Sequence, residues 1–236
     1  MPFLRRDQHV LILDLGIDGE RDTENRFHPD WLIEVNRLLD EALATEGPAA
    51  LVTTASGKYY SNGADVAWVV EHPGRLDWYL TETQQLLARI LTFPMPTVAA
   101  LNGHTYGAGA FLAVAHDHRI MRADRGYFCF PGIALGAPYS PGGVALVRSR
   151  LAPGIAHEAF VTGRRYGGSD ALAKGLVDEL AADDQVLSTA VAYAASLAGT
   201  RGAVLGQIKH ELHRSAVDAL TEPVHGYNDH AVTRRS

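Results

Sequence analysis

The sequence predicts an α/β fold in which strand–strand–helix units are stacked on one another. Short buried strands recur along the chain, and amphipathic helices stand between them. A short extended or irregular segment separates several strands from the helix that follows. This alternation favours a stacked α/β architecture over an open sandwich.

Hydrophobic spacing places the elements of the first half of the chain. The helix that begins near Pro29 ends before Gly47-Pro48, and a second long helix ends before Phe93-Pro94. The predicted elements are strands at 9–15 and 49–54, helices at 29–44 and 76–91, and a loop at 55–66.

The second half follows the same rules with shorter elements. Ser169 is predicted to cap a helix that Gly175 stops, and glycines near residues 199–202 interrupt a long helical segment. The predicted elements are strands at 118–123, 127–130 and 176–179, an irregular loop at 132–143, and helices at 144–151, 155–162, 170–174 and 184–213.

Composition excludes several classes of partner. The 236 residues carry a net charge of −6 and no basic run, which argues against nucleic acid or an anionic membrane. No stretch is long and apolar enough to cross a bilayer. Cys129 is the single cysteine, which predicts a reducing, cytoplasmic location, and its apolar surroundings predict a buried thiol.

A strand-to-helix turn near the middle of the chain is the most informative stretch. An apolar run after the Pro-x-Pro at 94–96 predicts a strand, and residues 102–103 end it. Gly107 and Gly109 then begin a predicted helix that ends near Ala115. Small residues let a ligand approach the backbone. The unpaired N–H groups and the dipole at a helix start favour negative charge.

Three interpretations of this turn remain open from the residues alone. The glycines at 107 and 109 can serve close packing of helix on strand. They can begin a dinucleotide site, although the third Gly or Ala of that motif is missing and no strand-end acid follows at about 20 residues. They can also form one half of an oxyanion hole, which requires a second N–H donor from elsewhere.

The loop at 60–66 is a second candidate site. It follows a buried strand and carries Asn62-Gly63-Ala64-Asp65 before a helix. Loops after strands bind ligands in α/β folds. The alternative is a glycine turn in which Asp65 caps the next helix.

Taken together, the two bends resemble the crotonase superfamily, also called the enoyl-CoA hydratase/isomerase family. The resemblance extends from Leu11 to about Glu179. Residues 58–66 resemble the first oxyanion motif of that family, and residues 94–109 resemble the second. Later family segments are matched in the same order by residues 116–119, 130–136, 141–143 and 171–178.

The resemblance implies a crotonase fold of stacked ββα turns with C-terminal helices. It also implies that the protein acts on an acyl-coenzyme A thioester. The thioester oxygen would lie between the backbone N–H groups of Ala64 and Ala108. No metal and no cofactor beyond the coenzyme A of the substrate are expected. The implied substrate-binding residues are Lys58, Ser61, Asn62, Gly63, Asp65, Val66, Gly107, Phe111 and Gly132.

Two departures from the family bear on the reaction. Hydratases of the family carry glutamates at the positions that match Phe111 and Gly132, so simple hydration, which needs two proton-transfer groups, is not expected. Isomerisation of a 3-enoyl-CoA to the 2-enoyl form needs one shuttling group. Tyr139 is the candidate, as a proton donor rather than a base, with a pocket wall as its alternative role. The alternative function is a catalytically silent acyl-CoA-binding homologue.

Other polar residues are interpreted structurally. His104 is expected to hydrogen-bond the backbone, and His116 to form a buried pair with Asp117. Lys209 is interpreted as a solvated lysine of the C-terminal helices. The predicted organisation is a core at residues 1–180 and a helical region at 181–236, and the family resemblance implies a homotrimer or homohexamer.

Overall fold

The structure, a computed structural model, describes residues 1–228. The strands are β1 (Phe3–Asp7), β2 (Val10–Asp14), β3 (Ala50–Thr54), β4 (Tyr59–Ser61), β5 (Thr97–Leu101), β6 (His104–Tyr106), β7 (His118–Arg122), β8 (Phe128–Cys129) and β9 (Glu179–Ala181). The helices are α1 (Pro29–Ala44), α2 (Val66–Glu71), α3 (Leu76–Leu91), α4 (Ala108–Ala115), α5 (Gly132–Leu135), α6 (Pro141–Arg150), α7 (Pro153–Thr162), α8 (Gly168–Ala173), α9 (Val186–Leu197), α10 (Ala203–Leu212) and α11 (Arg214–Thr221).

Two sheets organise these elements. The larger has the order β1-β2-β3-β5-β7-β9, in which β1 and β2 are antiparallel and the other neighbours parallel. The smaller is the parallel sheet β4-β6-β8. Each of β3, β5 and β7 is followed in the chain by a strand of the small sheet and then by helix. This repetition confirms the predicted α/β class of stacked strand–strand–helix units.

The two long helices of the first half lie where hydrophobic spacing predicts them. Both α1 and α3 have the predicted bounds, and each buries an apolar face. On α1, Leu32, Val35 and Leu39 are buried, and each contributes about 1.5–3 kcal/mol relative to an exposed side chain. The chain path between these helices is therefore fixed by the core.

Short elements differ from the prediction. The strands β4 and β6 have three residues each, which are too few for a visible period. The hairpin strand β1 is as long as β2, but three of its five residues are charged and none is fully buried, so it has no apolar run. The irregular loop at 132–143 contains α5 and the start of α6, where Ser140 accepts from the N–H of Gly143. Ser169 does not cap α8, because the helix begins at Gly168, two residues earlier than predicted, with Gly167 at its cap.

The C-terminal helices are held to the core by a buried lysine, so the prediction of a solvated Lys209 is wrong. Its side chain is 7 % exposed. The ammonium donates to the carbonyl oxygens of Phe93 and Met95 at 3.0 and 2.7 Å and to the carboxylate of Asp117 at 2.6 Å. Burial lowers the pKa of Lys209. The boundary near residue 180 stays a prediction, and residues 229–236 of that region lie outside the described residues.

Candidate active site

A mainly apolar cavity of about 430 Å³ lies beside the start of α4. Its wall includes Val69, Leu76 and Leu87 from α2 and α3. Two polar side chains of the wall are already bonded within the protein. The hydroxyl of Thr83 donates to the Tyr79 carbonyl at 2.9 Å, and Gln84 Oε1 accepts from Gly142 N–H at 3.1 Å. The cavity therefore suits a nonpolar chain.

The two glycine bends meet at one end of this cavity. Gly63 and Gly107 have φ values of +82° and +53°, which L-residues rarely adopt. A Cβ on Gly63 would lie 2.9 Å from the nitrogen of Ala108, so the bends are in direct contact. Ala64 and Ala108 both line the cavity. The two residues that sequence reasoning paired are thus brought together.

Hydrogen bonds fix the peptide planes that carry these two N–H groups. The carbonyl of Gly63 accepts from Phe27 N–H at 2.9 Å, and the carbonyl of Gly107 accepts from Ala110 N–H at 2.9 Å. In a trans peptide the N–H points opposite to the C=O. The N–H groups of Ala64 and Ala108 therefore point away from these bonds, and neither has a hydrogen-bond acceptor within residues 1–228.

Tyr139 stands against the backbone of Gly132 at the same cavity. The N–H of Gly132 donates to the Tyr139 hydroxyl oxygen at 2.5 Å, and a Cβ on Gly132 would lie 2.4 Å from the ring carbon Cζ. Burial raises the pKa of Tyr139 to about 12. The hydroxyl is therefore protonated at neutral pH, which fits a proton donor and disfavours a base.

Phe111 lies in an aromatic cluster on the cavity wall. Its ring centroid lies 4.9 Å from that of Phe130, 5.4 Å from that of Tyr139 and 6.0 Å from that of Phe160. Such pairs stabilise packing beyond the area they bury. Phe111, at the position where the family resemblance implies a glutamate in hydratases, is thus part of the apolar wall.

The other predicted site residues divide into two groups. Asn62, Val66, Gly107 and Gly132 line the cavity. Lys58, Ser61, Gly63 and Asp65 do not line it but belong to the loop that shapes its end.

Each residue of that loop has a structural partner. Ser61 Oγ donates to the Asn25 carbonyl at 2.7 Å and accepts from Gly63 N–H at 3.1 Å, which holds the bend. Asp65 caps α2 by accepting from Trp68 N–H at 3.2 Å, as its alternative interpretation predicts. Lys58 is exposed, and its Nζ lies 5.1 Å from the centroid of the Tyr59 ring.

Tyr79 is a cavity residue that sequence reasoning missed. It is 1 % exposed, lines the cavity and accepts from Asp65 N–H at 2.9 Å. In the sequence it is one apolar position of the predicted helix at 76–91, and its contact with Asp65 depends on how that helix packs.

His104, His116 and Cys129 do not line the cavity. His116 is buried between Thr53 and Leu112, so the predicted pairing with Asp117 is wrong. Burial lowers its pKa to about 4. The predicted backbone bond of His104 is absent at Nδ1, which has no partner within residues 1–228. Cys129 is buried as predicted, and burial raises its pKa to about 11, which argues against a nucleophile.

The described part of the chain lacks two features that would point to other functions. Residues 1–228 contain no cluster of three or more His, Cys, Asp or Glu side chains that could hold a metal ion. Over the same residues no helix combines the length and the apolar character needed to cross a membrane.

The strand–strand–helix units and the two touching bends define a protein of the crotonase fold. Residues 17–231 match the model of the family described as enoyl-CoA hydratase/isomerase. The chain belongs to the enoyl-CoA hydratase/isomerase family.

Similar proteins include isomerases from plants and solved structures from bacteria and humans. Enoyl-CoA delta isomerase 3 of Arabidopsis thaliana is 37 % identical over 210 residues, which cover 84 % of this chain and 87 % of that protein. An enoyl-CoA isomerase structure from Mycobacterium tuberculosis is 26 % identical with a TM-score of 0.83 and covers 93 % of both chains. Human mitochondrial Δ3-Δ2-enoyl-CoA isomerase, 19 % identical, shares the fold with a TM-score of 0.84 over 93 % of this chain and 85 % of that one.

Proposed function

We propose that this protein converts a 3-enoyl-CoA thioester into the 2-enoyl-CoA form. The observation that carries the proposal is the position of the Ala64 and Ala108 N–H groups, which belong to touching bends at one end of an apolar cavity. The names of the Arabidopsis relatives at 37 % and 35 % identity support this reaction over others of the family.

The two N–H groups would bind the thioester carbonyl oxygen of the substrate. Transfer of a proton from C2 to solvent water places negative charge on that oxygen, and addition of a proton at C4 moves the double bond into conjugation. Donors that are already oriented stabilise this charge without reorganisation, and one such donor contributes about 3 kcal/mol. Because Gly63 and Gly107 carbonyls are held by hydrogen bonds, the donor orientation is fixed before substrate binds.

Tyr139 is the proposed donor of the proton at C4. Its hydroxyl oxygen already accepts from Gly132 N–H, so the hydroxyl proton is free for a partner in the cavity. That accepted bond also stabilises the phenolate that forms when the proton leaves. Solvent then returns a proton to the phenolate, so that the isomerisation neither gains nor loses a proton overall.

The acyl chain would occupy the apolar cavity, and the phosphates of coenzyme A would lie outside it. Lys58 is exposed on the loop that leads to Ala64 and is the proposed phosphate contact. Coenzyme A enters only as part of the substrate in this proposal.

Assembly as a homotrimer or homohexamer in the cytoplasm is part of the same proposal. Helix α10 exposes Val204, Ile208 and Leu212, which are spaced four residues apart on one face. An apolar row of this kind is typical of a contact surface, and a second copy of the chain is the proposed occupant.

A catalytically silent acyl-CoA-binding protein is the second candidate. The favouring observation is that no Asp, Glu, His or Lys of the described residues lines the cavity, so the lining supplies no ordinary base for the C2 proton.

One experiment separates the two functions. The purified protein is mixed with a 3-enoyl-CoA, and the ultraviolet absorbance of the conjugated product is followed. Catalysis that falls in Tyr139→Phe supports the isomerase. Calorimetric binding of the thioester without turnover, across enoyl, hydroxyacyl and malonyl thioesters, supports the silent protein. Absence of both binding and turnover contradicts both candidates.

A further inference from the structure

We infer that Tyr79 is a positioning residue that orients the Ala64 N–H group through the neighbouring peptide. The inference rests on the proposed function, because it concerns the donor that would bind the thioester oxygen. Tyr79 lies on α3 and acts from outside the loop that carries Ala64.

Hydrogen bonds from outside the loop hold both peptide planes that flank the Ala64 Cα atom. On one side, the Gly63 carbonyl accepts from Phe27 N–H at 2.9 Å. On the other side, the N–H of Asp65 donates to the Tyr79 hydroxyl oxygen at 2.9 Å. Two fixed planes determine the φ and ψ angles of the residue between them. The Phe27 bond fixes the plane that carries the Ala64 N–H. The Tyr79 bond, together with a bond from Val66 N–H to the Ala64 carbonyl at 3.0 Å, holds the adjoining plane and so limits how far the first plane can tilt.

The second proposed donor needs no such side chain. The carbonyl of Gly107 accepts from the N–H groups of Ala110 and Phe111, which are part of the first turn of α4. The helix itself therefore orients Ala108. Of the two donors, the one at Ala64 depends on a side chain, and that side chain is Tyr79.

Burial makes this dependence strict. Tyr79 is 1 % exposed, and its ring centroid lies 5.6 Å from that of Trp68 in a stacked arrangement. The ring has no room to rotate away, so the hydroxyl stays at the Asp65 N–H. Removal of the hydroxyl leaves that N–H without its acceptor in a part-buried position, so that rotation of the Ala64–Asp65 peptide is opposed mainly by the bond from Val66 N–H to the Ala64 carbonyl.

The test compares Tyr79→Phe with Tyr166→Phe as a matched control. Tyr166 is also fully buried, does not line the cavity, and its hydroxyl donates to the Glu158 carboxylate at 3.2 Å. Hexanoyl-CoA labelled with ¹³C at the thioester carbonyl is the probe, and its ¹³C chemical shift on the protein reports how strongly the carbonyl is polarised. Hexanoyl-CoA has no double bond, so this readout requires no turnover.

We expect Tyr79→Phe to return the bound carbonyl shift toward the value in water and to lower kcat for a 3-enoyl-CoA by about 10- to 100-fold, with KM changed less than about threefold. Tyr166→Phe should leave the carbonyl shift and kcat as in the unsubstituted protein. A Tyr79→Phe protein with an unchanged carbonyl shift overturns the inference. An equal change in both variants also overturns it, because it indicates general loosening.

The outcomes also separate this inference from the proposed reaction. A carbonyl shift that depends on Tyr79, in a protein without turnover, supports the positioning role and contradicts the isomerase. Circular dichroism checks folding first. If Tyr79→Phe does not fold, Tyr79→Met, which retains apolar bulk without an acceptor of comparable strength, takes its place in the same comparison.

Discussion

The hydroxyl oxygen of Tyr139 lies 2.5 Å from the backbone nitrogen of Gly132, and it occupies the space that a side chain at residue 132 would need. The family resemblance implies a glutamate at this position in hydratases. The two residues are therefore coupled, since a side chain at 132 requires that Tyr139 move. The Tyr139 hydroxyl thus lies in the space that a glutamate side chain at position 132 would need.

This coupling predicts a non-additive stability effect. Gly132→Ala should lower the free energy of unfolding by about 1–3 kcal/mol, because the new Cβ meets the Tyr139 ring at 2.4 Å. In a Tyr139→Ala background the same substitution should cost at least about 1 kcal/mol less, and the cost that remains comes from the Ala137 carbonyl oxygen, which the Cβ would meet at 2.7 Å. Urea unfolding of the unsubstituted protein, the two single variants and the double variant measures this double-mutant cycle. Gly154→Ala, where a Cβ meets nothing within 4 Å, is the control. Equal costs in both backgrounds would contradict the coupling.

Substitution of Tyr139 tests its role as a donor. Tyr139→Phe should lower kcat for a 3-enoyl-CoA about 100-fold, the typical contribution of one proton-transfer group. Because burial raises the pKa of Tyr139 to about 12, its hydroxyl keeps its proton between pH 6 and 9. The ratio of the unsubstituted rate to the variant rate should therefore be constant over that range. A ratio that rises about tenfold per pH unit would instead identify the phenolate as a base.

The contact between the two bends predicts a difference between two glycines. Gly63 and Gly47 have φ values of +82° and +78°, so alanine at either position carries a similar backbone cost of about 1–2 kcal/mol. A Cβ at Gly63 would meet the Tyr106 carbonyl at 2.5 Å, whereas one at Gly47 meets nothing within 4 Å. Gly63→Ala should lower kcat about 100-fold or more by separating the donors, and Gly47→Ala should leave kcat unchanged. Similar rates for the two variants, in steady-state assays, would exclude a role for this contact.

Stability should fall in acid partly through His116. Burial lowers the pKa of this histidine from 6.5 to about 4, so the folded protein keeps it neutral while the unfolded chain takes up a proton. The contribution of His116 to the free energy of unfolding is on the order of 3 kcal/mol. It is present above pH 6.5 and is lost as the pH falls toward 4. Urea unfolding as a function of pH should give a shallower slope for His116→Asn than for the control His157→Asn, which changes an exposed residue. Equal slopes would rule out this contribution.

Lys209 should matter far more for stability than a more exposed lysine. Lys209→Met leaves the Asp117 carboxylate without its buried partner and should cost about 3–5 kcal/mol. Lys174→Met removes an ion pair with Glu158 in which both side chains are about one third exposed, and it should cost less than about 1 kcal/mol. Thermal unfolding followed by circular dichroism compares the two. A Lys209 variant as stable as the Lys174 variant would contradict the anchoring role.

The sequence predicts long elements of this fold better than short ones. Helices α1 and α3 bury one face over four turns, so their spacing identifies them and their bounds. The strands β4 and β6 depend on pairing with each other across the chain, and three residues carry no period of their own.

In the candidate site, too, residues marked by local geometry can be predicted from the sequence and residues placed by tertiary packing cannot. Small residues at turns mark Gly63 and Gly107, because backbone geometry limits which residues fit there. The contacts of Tyr79 and Lys209 span 14 and 92 residues along the chain, so they arise from tertiary packing. Local pattern cannot distinguish such residues from ordinary members of a helix.

The proposed donors at residues 64 and 108 are main-chain groups of residues that are already alanine. Alanine-scanning mutagenesis would therefore leave both groups intact and register no effect at either position. The surrounding side chains can change extensively during evolution while these groups persist. Catalysis can be lost through substitutions in the cavity wall or through displacement of the two main-chain donors. A comparison of side chains between sequences would detect the first kind of change but not the second.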